Sequence, residues 1–322
     1  MMPFRKFAVA LTVLTSAACA MAQDYPTQQA RMLVGWAPGG ANDAIGRIVS
    51  QGLQNQSGKP VTVFNKPGAG STLAADELAK AKPDGHTLLM GSTGGQAIAP
   101  LLFTKLTFDP FKDIVPVTLV ARTATALVVH SAVPAKDVRE LLSYLKANPG
   151  KTMYASGGNG TGAHLTAELF KSMAGVDVEH VPYKGDAPAV TDVMAGNVQM
   201  AFTTLPAALA GVKTGKIRML AVSTASRVKS LPDIPTIAES GVPGFDISTW
   251  YGVFTTAKTP QPVVDAIARE VAKVVAAPDA QAALIKQGVE PVTSTPAEFA
   301  RYFSSEAERW AKLARSVGLQ AQ

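Results

Sequence analysis

The sequence predicts an α/β protein of two domains with mixed, mostly parallel sheets, and three observations carry that prediction. Short apolar runs alternate with stretches of helical periodicity, and glycine-rich turns join them, as in parallel sheets with crossover helices. A chain of 322 residues exceeds one comfortable core even when a leader is removed. The rhythm also changes at residues 116–121 and 126–130, two apolar runs with no helix between them, which read as a crossing into a second domain.

In chain order, Arg5 and Lys6 precede an apolar run over 7–18 and an A-x-A site at Ala20-Met21-Ala22. Residues 1–22 are therefore expected to be an export signal cleaved after Ala22, which places the mature chain outside the cytoplasm. Ser16 stands three residues before Cys19, where a lipoprotein signal would carry Leu. No later stretch is long enough to span a bilayer. Cys19 is the only cysteine, so the mature chain has no thiolate chemistry and no cysteine-ligated metal.

The organising stretch is Trp36-Ala37-Pro38-Gly39-Gly40-Ala41-Asn42-Asp43, between an apolar strand over 31–35 and a helix through Ile45, Ile48, Val49 and Leu53. Two glycines allow a tight turn with bare N–H groups, and Asn42 or Asp43 is the expected cap. A helix start adds unpaired donors and partial positive charge, so an anion, most simply a carboxylate, is the natural guest. Taken alone, the segment also fits an ordinary βα turn.

The unit recurs. A strand over 61–64 enters the turn 65–71, and a strand over 86–90 ends in Gly91-Ser92-Thr93-Gly94-Gly95, expected as a third open loop. Such loops gather beyond the carboxyl ends of a parallel sheet. In the second half, a strand over 151–155 leads into Ser156-Gly157-Gly158-Asn159-Gly160-Thr161-Gly162 and a helix. Strands over 178–181 and 198–202 lead into Pro182-Tyr183-Lys184-Gly185-Asp186 and Thr203-Thr204-Leu205-Pro206. A strand over 216–222, a proline-rich return linker over 231–235, a strand over 250–254, a long helix through Val263 and Val275 and a last helix over 297–317 complete the chain.

Without its first 22 residues the chain has 28 basic and 24 acidic side chains, a net charge of +4. Lys and Arg are scattered without a basic stripe, which argues against a nucleic-acid partner. The loop 156–162 lacks the Gly-Lys-Ser/Thr of a P-loop and does not match G-x-G-x-x-G. Ser92 and Ser156 lie outside any G-x-S-x-G. A contact of Ser156 with His164 would be the hydrolase reading, against a structural or ligand-binding histidine. No H-E-x-x-H or similar cluster points to a metal, and no cofactor is expected. Two halves presenting glycine-loop helix starts, without a catalytic constellation, indicate an exported binding protein.

The stretch 36–43 with Arg47 resembles the P-F-A-P-G-G-x-x-D-x-x-x-R signature of the Bug family, periplasmic receptors of tripartite tricarboxylate transporters. Asn65-Lys66-Pro67-Gly68-Ala69-Gly70, the segment 81–89, the loop 154–161 with His164, His180-Val181-Pro182-Tyr183-Lys184-Gly185, the segment 241–245 and Trp250-Tyr251-Gly252 are similar to it as well. Trp36 replaces the usual Phe, and Gln96, Thr203 and Thr204 depart from common residues. The resemblance implies a type II-like Venus flytrap with a carboxylate or related small molecule between its domains. Their expected extents are 23–123 and 236–322 for the first and 124–235 for the second. It further implies delivery to membrane transporter subunits, or else a sensor role, by a monomer. The implied site comprises Pro38, Gly39, Gly40, Ala41, Asn42, Asp43, Ser92 and Thr93 from the first domain. Ser156, Gly157, Asn159, Thr161 and His164 form the second cradle, Tyr183, Thr203 and Thr204 select the ligand body, and Trp250 covers it. Core packing is the competing reading for Tyr183 and Trp250. Arg47 is expected to pair with a carboxylate or meet solvent rather than touch the ligand.

Overall fold

The computed structural model describes residues 25–103, 105–286 and 288–316; the expected leader, with Cys19 and Ala22, lies outside them. β1 (Ala30–Val34), α1 (Ala41–Ser57), β2 (Val61–Asn65), α2 (Thr72–Ala79) and β3 (Thr87–Ser92) open the first half. β1 lies between β2 and β3 and runs parallel to both. Consecutive strand residues feed opposite faces: Met32 and Val34 join one apolar cluster with α1, while Leu33 joins the other with α2. A sheet covered on both faces needs such continuous apolar runs rather than alternation.

Thr93, Gly94 and Gly95, expected within an open loop over 91–95, instead begin a π-helical turn over 93–98 that leads into α3 (Ala99–Leu102). The Gln96 side chain folds back within it and accepts the Ser92 N–H at 2.6 Å. Its glycines answer to crowding, since a Cβ at Gly95 would meet the Ser71 side chain at 2.9 Å and one at Gly94 would meet Thr161 Cα at 3.1 Å.

The two apolar runs near residue 120 are one strand, β4 (Ile114–His130). Next come α4 (Val138–Ala147), β5 (Met153–Ser156), α5 (Gly162–Ala174), β6 (Glu179–Pro182), α6 (Asp186–Met194), β7 (Met200–Thr204), α7 (Leu205–Val212) and β8 (Ile217–Val222). β5 pairs parallel with β6 and β7, and the far part of β4 pairs antiparallel with β7 and β8. The chain then returns. β9 (Ser248–Thr256) inserts antiparallel between β3 and the near part of β4. α8 (Gln261–Ala276), α9 (Pro278–Lys286), β10 (Val289–Pro291) and α10 (Pro296–Ser316) follow, and β10 also pairs with β4. The strand order is β2-β1-β3-β9-β4-β7-β5-β6, so the fold is α/β with mixed sheets.

The halves meet along β4. There the Thr125 N–H donates to Ser223 Oγ at 2.8 Å, and that hydroxyl donates to the Ile247 carbonyl at 2.7 Å. Ser223 thus ties the outgoing strand to the returning chain.

Candidate functional site

Between the two sets of strands lies a narrow cavity of about 50 Å³, room for three to five water-sized groups at about 10–15 Å³ each. The first half lines it with Trp36, Ala37, Gly40, Ala41, Asn42, Ser92 and Gly94. The second half contributes Gly157, Thr161, Gly162, Ala163, Gly185, Asp186 and Thr204, while Thr249 and Tyr251 come from β9.

Four helix starts reach this lining. Gly40, Thr161, Gly185 and Thr204 are the N-cap residues of α1, α5, α6 and α7. Gly40 and Gly185 bring no capping side chain, which leaves first-turn N–H groups available to a guest. Thr161 closes its own start: its hydroxyl accepts from the His164 N–H at 3.1 Å and donates to the Gly158 carbonyl at 2.9 Å. Among the described residues, no Lys or Arg lines the cavity.

The double glycine divides its labour. Gly39 takes φ +92, a left-handed value that favours glycine. Gly40 is extended at φ −87, and a Cβ there would have nothing within 4 Å. The turn thus needs glycine's backbone freedom at Gly39, while at Gly40 the absent side chain leaves the start of α1 open to the cavity.

Of the residues expected at the site, Gly40, Ala41, Asn42, Ser92, Gly157, Thr161 and Thr204 line the cavity. Asn42 is held with its amide nitrogen on the Met90 carbonyl at 2.8 Å, while its oxygen accepts from the Trp36 indole and the Ser92 hydroxyl, each at 3.1 Å. The others stand outside the lining. Pro38 and Gly39 are exposed. Asp43 turns back to accept the Gly39 N–H at 3.1 Å and binds Arg47 and Asn65. Burial pushes its pKa up, but these bonds outweigh that and hold it below the usual carboxylate range. Thr93 accepts the Trp250 N–H at 2.8 Å, Asn159 is half-buried on its loop, and Thr203 is buried along β7. Tyr183 donates its hydroxyl to Asp192. Trp250 is fully buried among Phe254, Phe299, Tyr302 and Phe303, so its neighbour Tyr251 is the aromatic that meets the cavity. Tyr154 also lies outside it.

Arg47 is half-exposed, bonded to Asp43 and Asn65, and absent from the lining. Arg47→Gln is expected to change solute affinity less than tenfold, because an exposed pair contributes little. Isothermal titration beside the wild type checks this.

Ser156 and His164 fasten the second glycine loop from beneath. Ser156 Oγ accepts the Gly158 N–H at 3.1 Å and lies 2.7 Å from His180 Nε2, so its histidine partner is His180 rather than His164. His164 Nδ1 accepts the Gly160 N–H at 3.2 Å. The rings of Tyr154, His180 and His164 stack in series, with centroids 4.7 and 4.2 Å apart. Ser156 is fully buried, so its hydroxyl presents no face to a substrate carbonyl.

Burial pushes the His164 pKa down to about 4 and, with the nearby charges of His164 and Lys171, that of His180 to about 3. An unfolded histidine titrates near 6.5. The unfolded chain therefore binds protons first, and this contribution to stability is complete above about pH 6.5 and falls as pH drops towards 4 and 3. Denaturant midpoints are expected to be lower at pH 5 than at pH 7.5. The difference should shrink in His180→Gln.

Comparison with known proteins gives the chain's family. Residues 45–319 match the family described as tripartite tricarboxylate transporter family receptor. A UPF0065 protein from the tcbD-tcbE intergenic region of Pseudomonas sp. (strain P51) is 38% identical over 97% of this chain and 94% of its own length. BugT of Bordetella pertussis is 32% identical over 94% and 93%. Among solved structures, an R. palustris protein with adipate superposes with a TM-score of 0.90 at 34% identity, covering 93% of this chain and 100% of that one. MatC from Rhodopseudomonas palustris with bound malate gives 0.83 at 30% identity, covering 90% and 99%. The chain belongs to the tripartite tricarboxylate transporter receptor family, whose members are periplasmic solute-binding proteins.

Proposed function

We propose that this protein captures a small carboxylate-bearing solute between two lobes and delivers it to a tripartite tricarboxylate-type membrane transporter. The observation that carries the reading is the cavity itself, where helix starts from both halves converge and no cationic side chain lines the walls among the described residues. Neutral N–H donors at helix starts suit an anion, and they avoid desolvating a second full charge, which costs several kcal/mol per ion. The solutes named with the two R. palustris structures, adipate and malate, are both carboxylates. The chain is taken to work in the periplasm as a monomer, after cleavage near Ala22.

The lobes in this reading are residues 23–123 with 236–322, and residues 124–235. In this reading the lobes part for entry and close on the guest, because helix starts on both halves can serve one solute only when the lobes approach each other. Small-angle scattering at saturating solute should give a smaller radius of gyration than the open form without it. Purified protein screened against a carboxylate panel tests the function: a true solute in large excess raises the melting temperature by mass action. If no carboxylate raises it while an uncharged compound does, the anion reading is wrong.

A further inference from the structure

One side chain in the cavity runs against the anion logic of the rest. Asp186, the first residue of α6, follows Gly185 at φ +134 and lines the cavity. Its Oδ2 accepts the Thr204 hydroxyl at 2.8 Å. Its other oxygen faces the place where residue 157 would carry a side chain: a Cβ there would lie 2.8 Å from Oδ1. Gly157 is not in the left-handed region, so glycine is required there for space, and the Asp186 carboxylate takes that space.

The charge has no counter-ion. Among the described residues, Asp186 enters no ion pair with Lys, Arg or His, and the cavity's other ionisable lining residue is Tyr251. Burial pushes the Asp186 pKa up, against the hydrogen bonds it accepts from Thr204 and Thr203. Those donors are neutral, and a desolvated carboxylate without a counter-ion gains from a further, charged donor. Glycine at 157 and the Asp186 carboxylate, which has no ion pair, together form a hydrogen-bond-accepting part of a wall that Gly40 and Ala41 also line.

We propose that Asp186 sets the end-group specificity of the solute, selecting an N–H or O–H donor, above all an ammonium group, and turning away a second carboxylate. The inference rests on the carboxylate reading of the helix starts: the uncapped α1 start holds the carboxylate, and Asp186 reads the other end. Adipate, with a carboxylate at each end, is then a poor fit for this chain, although the similar R. palustris structure is one with adipate.

Matched probes separate the two ends. Titration calorimetry would compare succinate, 4-aminobutanoate and butanoate, then adipate, 6-aminohexanoate and hexanoate, on wild type, Asp186→Ser and Asp186→Asn. In the wild type the amino acid of each set should bind at least tenfold more tightly than the dicarboxylate of the same length. Both variants should cut that ratio at least tenfold, while butanoate and hexanoate, which report the helix starts alone, bind more tightly or unchanged. Asp186→Asn keeps the side-chain shape and an acceptor for Thr204, so it preserves the test if Asp186→Ser does not fold. Monocarboxylates binding without discrimination between ammonium and carboxylate ends would overturn this inference alone. Failure of every carboxylate probe on the wild type would remove the underlying reading, and this inference with it.

Discussion

Gly40→Val is expected to lower solute affinity at least 100-fold while costing the fold about 1 kcal/mol or less. Gly40 holds an extended backbone at φ −87 and ψ 173, which valine adopts without strain. A Cβ there touches nothing within 4 Å, so the protein has no clash to relieve. What remains is the loss of a good N-cap residue, a modest cost. The added methyls instead project into a cavity of about 50 Å³ and bar the N–H groups at the start of α1. The measurement is the melting temperature with and without the carboxylate that stabilises the wild type. An unaltered ligand-induced shift would remove the α1 start from the site. The adjacent Gly39→Val should behave in the opposite way, losing stability through its φ of +92 and affecting the solute less directly.

The second large effect is on stability. Trp250→Ala is expected to cost about 3–5 kcal/mol, the usual range for deleting a large aromatic from a core. Trp250 sits among four aromatic rings with centroids 5.5–6.4 Å away, which edge-to-face contacts favour. Its indole nitrogen is buried without a partner. Trp250→Phe removes that unpaired donor and keeps most of the apolar volume, so it should cost only about 1–2 kcal/mol. Solute affinity in Trp250→Phe should stay within a few-fold of wild type. A large loss of affinity in a well-folded Trp250→Phe protein would instead make this residue a cover for the ligand.

The sequence discloses the alternation of elements because both sheets are covered on two faces, and buried strands write themselves as continuous apolar runs. Residues 32–34 and 88–90 are examples. It discloses Gly40, Ala41, Asn42, Ser92, Gly157, Thr161 and Thr204 because each stands in a glycine turn or polar pair at a strand's end. Thr249 and Tyr251 carry no such mark: they enter the cavity through the long-range pairing of β9 with β3 and β4. Asp186 follows a glycine turn of the same kind, so its position was legible, but its lack of a cationic partner depends on tertiary packing. His180 reaches Ser156 across the pairing of β5 with β6, a register that spacing alone does not reveal. β4 reads as two strands because Arg122, Thr123 and Thr125 interrupt its apolar run, although the backbone ladder continues through them.

The insertion of β9 between β3 and β4 bears on how the chain is made. β3 ends at Ser92 and its ladder partner does not begin until Ser248. While the protein is being synthesised, at roughly 5–20 residues per second, the amino-terminal sheet therefore has an open seam that nothing upstream can close. Contacts so distant in sequence form slowly, since the loop must be closed before they repay its entropy. A polypeptide threaded through a translocation channel must stay unfolded until it has crossed. Here the delay is written into the strand order: the seam beside β3 waits for the last quarter of the chain, from Ser248 onward, to be made.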